Sequence, residues 1–167
     1  MGKLVFDAEL CTGCRACELA CSFKKDQVFS PTKSRVRVVK IDEEGIDVPV
    51  GCEHCDDAPC IAVCPVGALY EDAETGAVLI NHDTCIGCRL CIPACPFAAI
   101  SHDAVTKRVY KCDMCHGEPE CVKWCFTGAI KHVESLEEYK REKRKAIAEK
   151  VAERISEGGE ASQWYSA

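Results

Sequence analysis

Apolar residues in this chain come in short bursts, too brief for a conventional layered core, and each burst is bounded by turn residues. Residues 3–7, K-L-V-F-D, read as a short strand. The run R-V-R-V-V-K-I at 35–41 is rich in β-branched residues with partial alternation; D-E-E-G is a turn, and I-D-V-P-V follows. Residues 35–50 therefore predict a β-hairpin, with Pro49 placing its second strand at an edge. A-L-Y-E-D at 68–72 and A-V-L-I-N at 77–81 flank a turn around Glu74-Thr75-Gly76 and predict a second hairpin; Ala99 to Lys111 predicts another of the same kind. F-K-K-D-Q-V-F-S-P at 23–31 reads as a loop or short helix ended by Pro31. From Glu134 the pattern changes. Ser135 and Glu138 match a capping box, a charged helical stretch runs to about Glu157, and Gly158-Gly159 is a stop signal. Its apolar stripe is narrow: Leu136, Tyr139, Ile147, Val151 and Ile155.

Cysteines fill the gaps between these bursts. The chain has 167 residues and 16 cysteines. They fall into four runs: Cys11, Cys14, Cys17, Cys21; Cys52, Cys55, Cys60, Cys64; Cys85, Cys88, Cys91, Cys95; and Cys112, Cys115, Cys121, Cys125. The third run, with Pro96 after it, is C-x2-C-x2-C-x3-C-P, the bacterial ferredoxin spacing for iron–sulfur ligation. Cysteines at i, i+3 and i+6 wrap three corners of a [4Fe–4S] cube, while the fourth lies one helical turn on and faces away. In two-cluster ferredoxins that fourth cysteine binds the other cluster. The middle gap widens to four residues in the second run and five in the fourth. Zinc also takes C-x2-C pairs, but a tetrahedral zinc site needs two pairs across a loop rather than four cysteines crowded into one. Four groups of four, with none left over, predict four [4Fe–4S] clusters and an apo chain that is mostly unfolded.

A repeat follows the fourth cysteine of three runs: P-V-G-A-L after Cys64, P-F-A-A-I after Cys95 and F-T-G-A-I after Cys125. Each is a turn entering a strand, so one supersecondary unit recurs. Residues 3–7 and 129–133 are expected to pair.

The formal net charge is −6, and four thiolate-ligated clusters would add roughly −8. A nucleic-acid partner is excluded, since no basic face of the needed size is present. Arg15, Arg89 and Lys111 adjoin ligand cysteines and are candidate positive charges beside clusters. His54, inside C-E-H-C, is a candidate hydrogen-bond donor to a sulfide rather than a ligand; His82, His102, His116 and His132 read as surface or hairpin residues. The start M-G-K-L-V-F-D has no apolar signal region and no stretch approaches the roughly 20 apolar residues of a membrane span, so a cytoplasmic protein is expected, without a direct membrane span. There is no G-x-G-x-x-G, P-loop or nucleophile pattern, so no catalytic residue is assigned and catalysis is expected on another chain.

K-C-D-M-C at 111–115 and C-E-H-C-D-D-A-P-C at 52–60, with the four runs, resemble the four-cluster ferredoxin-type electron-transfer subunits of molybdenum and tungsten oxidoreductases. That family includes the iron–sulfur subunits of dimethyl sulfoxide reductase, formate dehydrogenase, hydrogenase-linked complexes and aldehyde oxidoreductase. The resemblance covers residues 1–133 and implies an α+β fold of tandem, nested bacterial-ferredoxin-like units, with short β-hairpins and helical turns around four clusters, plus the C-terminal helix. It implies an outer unit of residues 1–30 and 105–133, an inner unit of residues 51–104, and the hairpin 35–50 inserted between them. Residues 134–167 are then a helix and tail for docking or self-association. It also implies exchanged fourth ligands: Cys52, Cys55, Cys60 with Cys95; Cys85, Cys88, Cys91 with Cys64; Cys11, Cys14, Cys17 with Cys125; and Cys112, Cys115, Cys121 with Cys21. Ser22 and Phe126 depart from the family by replacing the proline after the fourth cysteine, and the middle gap of the fourth run is short beside that of larger relatives.

The implied function is single-electron transfer between a catalytic molybdenum- or tungsten-pterin subunit, with tungsten aldehyde oxidoreductase first, and a flavin/NAD or ferredoxin-linked redox subunit. The alternatives are a free polyferredoxin serving a formate dehydrogenase or hydrogenase system, and a non-redox metal scaffold.

Overall fold

The computed structural model describes residues 2–156. It is an α+β chain that divides into two compact units after Glu134. The first unit holds eight short strands in four two-stranded antiparallel ladders. β1 (Lys3–Phe6) pairs with β8 (Ile130–Val133), with Lys3 opposite Val133 and Phe6 opposite Ile130, so the two ends of the unit are joined. β2 (Arg37–Ile41) pairs with β3 (Ile46–Val50), β4 (Leu69–Glu71) with β5 (Val78–Ile80), and β6 (Ile100–His102) with β7 (Val109–Lys111). Pro49 sits opposite Val38 in a ladder of two strands, where each strand is an edge.

The last two hairpins share one turn chemistry. Asp72 accepts from the backbone and hydroxyl of Thr75, and Asp103 accepts from the N–H groups of Val105 at 2.8 Å and Thr106 at 3.2 Å. D-A-E-T and D-A-V-T are thus the same local device, an Asp side chain closing its own turn.

Helical segments carry the cysteine pairs spaced by four. α1 (Ala16–Asp26) contains Cys17 and Cys21; α2 (Pro59–Ala62) contains Cys60 and leads to Cys64; α3 (Cys91–Ala94) leads to Cys95; α4 (Glu120–Lys123) contains Cys121 and leads to Cys125. α1 lies against α4, and α2 against α3. The segment read as a loop or short helix at 23–31 is in fact the second half of α1, which runs unbroken past the fourth cysteine to Asp26. Pro65 and Pro96 end the corresponding turns elsewhere, whereas Ser22 keeps the helix going. Ser22 is fully buried; its hydroxyl donates to Leu19 O and accepts from Ser30 N–H at 3.1 Å, fixing the chain that leaves the helix.

The core is small and partly sulfur. One apolar cluster joins Ala58, Cys60, Leu69, Val78, Cys91, Ile100 and Val109; a second joins Cys17, Cys21, Val36, Val38, Cys121 and Ile130. Leu4, Ala77 and Met114 form a third.

The second unit is described through α5 (Leu136–Ser156), whose Glu138 N–H donates to the Ser135 hydroxyl at 3.2 Å, the forward half of the expected cap. No residue of α5 is buried, and Ile147 and Ile155 of the expected stripe are exposed. Gly158-Gly159 and Trp164-Tyr165 lie outside the described residues. Among the described residues no helix is long and apolar enough to cross a membrane.

Candidate cluster-binding sites

Each cysteine run opens with a loop whose residue before the second cysteine is left-handed: Gly13 (φ +62°), His54 (+48°), Gly87 (+69°) and Met114 (+53°). Left-handed residues between ordinary ones turn successive backbone N–H groups toward one side, forming a nest suited to a negatively charged group. Glycine adopts this freely, as at Gly13 and Gly87. His54 and Met114 adopt it under tertiary constraint, and both are buried. Gly51, also near a ligand, has another reason to be glycine: an added Cβ would meet the Phe6 ring at 2.5 Å.

The structure brings several cysteines of different runs together. A cavity is lined by Cys52, Cys55, Cys60 and Cys95, with Ala58, Val78 and Lys111 among its other walls. Burial pushes the Cys17 thiol up to about 12, and Glu18, Cys125 and Cys14 add to the effect. Burial likewise raises Cys121, with Cys112, Cys21, Cys115 and then Cys17 as its neighbouring thiols. Cys91 is raised by burial and by Cys85, Cys88 and Cys60. Cys125 thus acts on Cys17 of the first run, Cys21 acts on Cys112 and Cys121 of the fourth, and Cys95 lines the cavity of the second. Cys64 packs on the same apolar cluster as Cys91, and α2, which leads to it, lies against α3.

The fourth cysteine of every run accepts a backbone N–H. Arg35 donates to Cys21 at 3.3 Å, Ala68 to Cys64 at 3.2 Å, Ala99 to Cys95 at 3.4 Å and Ile130 to Cys125 at 3.3 Å. The last three donors lie in the repeated segment, where Gly67, Ala98 and Gly128 are left-handed and swing the chain back over the sulfur. Around Cys64 burial acts upward, but the N–H groups of Leu69, Val66, Ala68 and Gly67 hold the thiol below its ordinary value.

Buried thiols raised in this way are poor thiolates by themselves, and a metal's positive charge is what deprotonates them. Among the described residues, no three His, Cys, Asp or Glu side chains are drawn together as a single-ion site. The donor set, the nests and the four-cysteine cavity fit [4Fe–4S] clusters.

Of the candidate cations, Arg15 and Arg89 are exposed and Lys111 is buried. Its ammonium donates to Val78 O and to Cys112 O at 2.9 Å. His54 is fully buried and accepts the Val78 N–H on Nδ1 at 2.9 Å. Burial, then Lys111 and Lys3, lower its pKa to about 3. His102 is half-buried within its hairpin, and His82, His116 and His132 are exposed. Sequence reasoning missed Glu18 and Val78, because neither type signals a polar tie.

A family model for the 4Fe-4S dicluster domain matches residues 44–135, and one for the 4Fe-4S binding domain matches residues 4–23. The chain belongs to the 4Fe-4S dicluster domain family. It is 40% identical over 122 residues to the aliphatic sulfonate oxidoreductase, polyferredoxin-like subunit, of Pyrococcus furiosus, covering 73% of this chain and 70% of that one. It is 36% identical over 141 residues to the thiosulfate reductase electron transfer subunit PhsB of Salmonella typhi, covering 77% and 73%. Protein NrfC of Escherichia coli is 38% identical over 141 residues, covering 76% of this chain, which spans 62% of NrfC's length. Among solved structures, a chain of the active site complex BamBC of benzoyl coenzyme A reductase is similar at 27% identity and a TM-score of 0.48, covering 93% of this chain and 98% of that one. Within the dicluster family, this chain is an iron–sulfur, ferredoxin-like electron-transfer subunit, and its two matched domains and 16 cysteines fit four [4Fe–4S] clusters.

Proposed function

We propose that the chain relays single electrons along a row of four [4Fe–4S] clusters between a catalytic subunit and a second redox partner. The observation that carries this is the order of thiol neighbours. Cys17 acts electrostatically on Cys121, Cys52 on Cys112, and Cys60 on Cys91. With the ligand sets Cys11, Cys14, Cys17, Cys125; Cys112, Cys115, Cys121, Cys21; Cys52, Cys55, Cys60, Cys95; and Cys85, Cys88, Cys91, Cys64, these neighbours support a reading in which the sites follow one another in one line in that order. Cys14 and Cys88 are the exposed cysteines, and each belongs to an end of the line, where partners would exchange electrons.

When bound, a [4Fe–4S] cluster accepts and gives up one electron at a time. The chain's own part is to space the sites, exclude water with the small apolar clusters, and aim N–H groups at the ligand sulfurs, which raises the ease of reduction. The catalytic partner in this reading is a molybdenum- or tungsten-pterin oxidoreductase, a tungsten aldehyde oxidoreductase first, supported by the resemblance and by relatives named as oxidoreductase subunits. A cytoplasmic location is supported by the need to keep so many thiols reduced. Residues 1–133 carry the clusters, and residues 134–167 are assigned to docking on the catalytic partner.

The test is anaerobic purification with iron, sulfide and metal analysis. About 16 irons per chain are expected, with tungsten or molybdenum in the co-purifying subunit. Bound zinc without iron overturns the reading. Full-length chains carrying Ile147→Glu and Ile155→Glu should keep their iron and lose that subunit on size exclusion; unchanged association removes the helix from the docking surface.

A further inference from the structure

Val78 in β5 is bonded on both sides of its peptide unit by buried polar groups. Its N–H goes to His54 in the loop of the second run, and its carbonyl accepts from Lys111 at the start of the fourth run. Lys111 also donates to Cys112 O at 2.9 Å and lines the cavity of Cys52, Cys55, Cys60 and Cys95. One ammonium thus faces the ligands of both middle sites of the row. Its two bonds to carbonyls use two of three N–H groups.

His54 is held the same way. Because Nδ1 accepts from Val78, the proton of the neutral ring is on Nε2. That nitrogen is buried and has no hydrogen-bond partner among the described residues. A buried donor is nearly always paired, so the ring points an N–H at something the protein itself does not supply.

Charge explains why both groups belong there. Four thiolates give an oxidised cluster a net charge of about −2, and reduction adds another negative charge. Two such groups side by side in a low-dielectric interior oppose each other's reduction. A buried ammonium between them stabilises the more negative state of each.

We propose that Lys111, with His54 fixed beside it by Val78, sets the potentials of the two middle clusters: the ammonium raises both, and His54 Nε2–H supplies a hydrogen bond to cluster sulfur. This rests on the four-cluster reading above. Each hop moves one electron, oxidising one site and reducing the next, and breaks no bond. Raised middle potentials draw electrons inward from either end and keep them from accumulating at the exposed termini.

The experiment is a potentiometric titration, followed by electron paramagnetic resonance, of full-length holoprotein carrying Lys111→Gln. Two of the four couples should become about tenfold harder to reduce, about 59 mV for one electron, with iron retained at about 16 per chain. Lys111→Arg should restore them. Full iron with unmoved couples in Lys111→Gln overturns the inference and leaves the electron-carrier reading intact; a wild-type chain short of iron overturns that reading instead. If Lys111→Gln loses iron, His54→Phe decides: a downward move of a middle couple supports the pair, and unmoved couples overturn it.

Discussion

The carboxylate of Glu18 accepts the backbone N–H of Val38 at 2.7 Å, and both groups are buried. This bond ties α1, which carries Cys17 and Cys21, to the hairpin of β2 and β3. Glu18→Ala leaves the Val38 N–H without a partner, at a cost of about 1–3 kcal/mol. Glu18→Gln keeps an acceptor oxygen and should cost less. Midpoints of anaerobic urea unfolding of the two holoproteins check this, and equal midpoints would show that the bond contributes nothing.

Ala98 occupies the left-handed position that Gly67 and Gly128 fill in the other copies of the repeat, at φ +49°. A left-handed L-residue costs roughly 1–2 kcal/mol, partly offset by the greater freedom of glycine in the unfolded chain. Ala98→Gly should therefore stabilise by about 0.5–1 kcal/mol. Gly67→Ala should destabilise, purely through the backbone, since nothing lies within 4 Å of its added Cβ. Thermal midpoints moving in opposite directions are the expected result.

The proposed exchange of fourth ligands gives a non-additive iron count. Cys95→Ala should lose about four irons, and adding Cys52→Ala should lose no more, because both would serve one cluster. Adding Cys88→Ala instead should remove about four further irons. The reverse pattern would place Cys95 with its own loop.

Asp103 is held well below the usual carboxylate range by Lys33 and then by the N–H groups of Val105 and Thr106. A depressed folded pKa stabilises above the unfolded value of about 3.9 and is lost as pH falls through the folded one. Asp103→Asn should thus be less stable than wild type by an amount that stays flat from neutral pH to about 4 and narrows only below. Paired unfolding curves across that range provide the check, and a gap already closing at about pH 6 would point to another group.

Much of this architecture was legible because cysteine spacing and turn chemistry are both local. Cys91 to Cys95 predicts a helical turn, and that turn is α3. Residues 3–7 were expected to meet 129–133, and β1 does pair with β8. What stayed hidden depended on distant neighbours. Lys111, Arg15 and Arg89 look alike in sequence, each beside a ligand, yet Lys111 is buried because Val78 and Cys112 offer carbonyls to its ammonium. The missing proline at Ser22 was visible, but its consequence was not: the helix continues because Ser22 reaches Ser30, in a segment with no pattern of its own. His54 carried a recognisable spacing, while its orientation is set by a strand 24 residues away.

The pairing of Phe6 with Ile130 has a consequence for synthesis. β1 has no partner until β8, the last strand of the unit, emerges, so it must wait while all the residues between them are made. Cys52 to Cys95 are all available well before that point. Iron delivery should therefore be ordered in time, the interior of the chain being loaded while the ends are still open, and a scaffold that donates clusters would find the segment around Cys11–Cys17 exposed for longest.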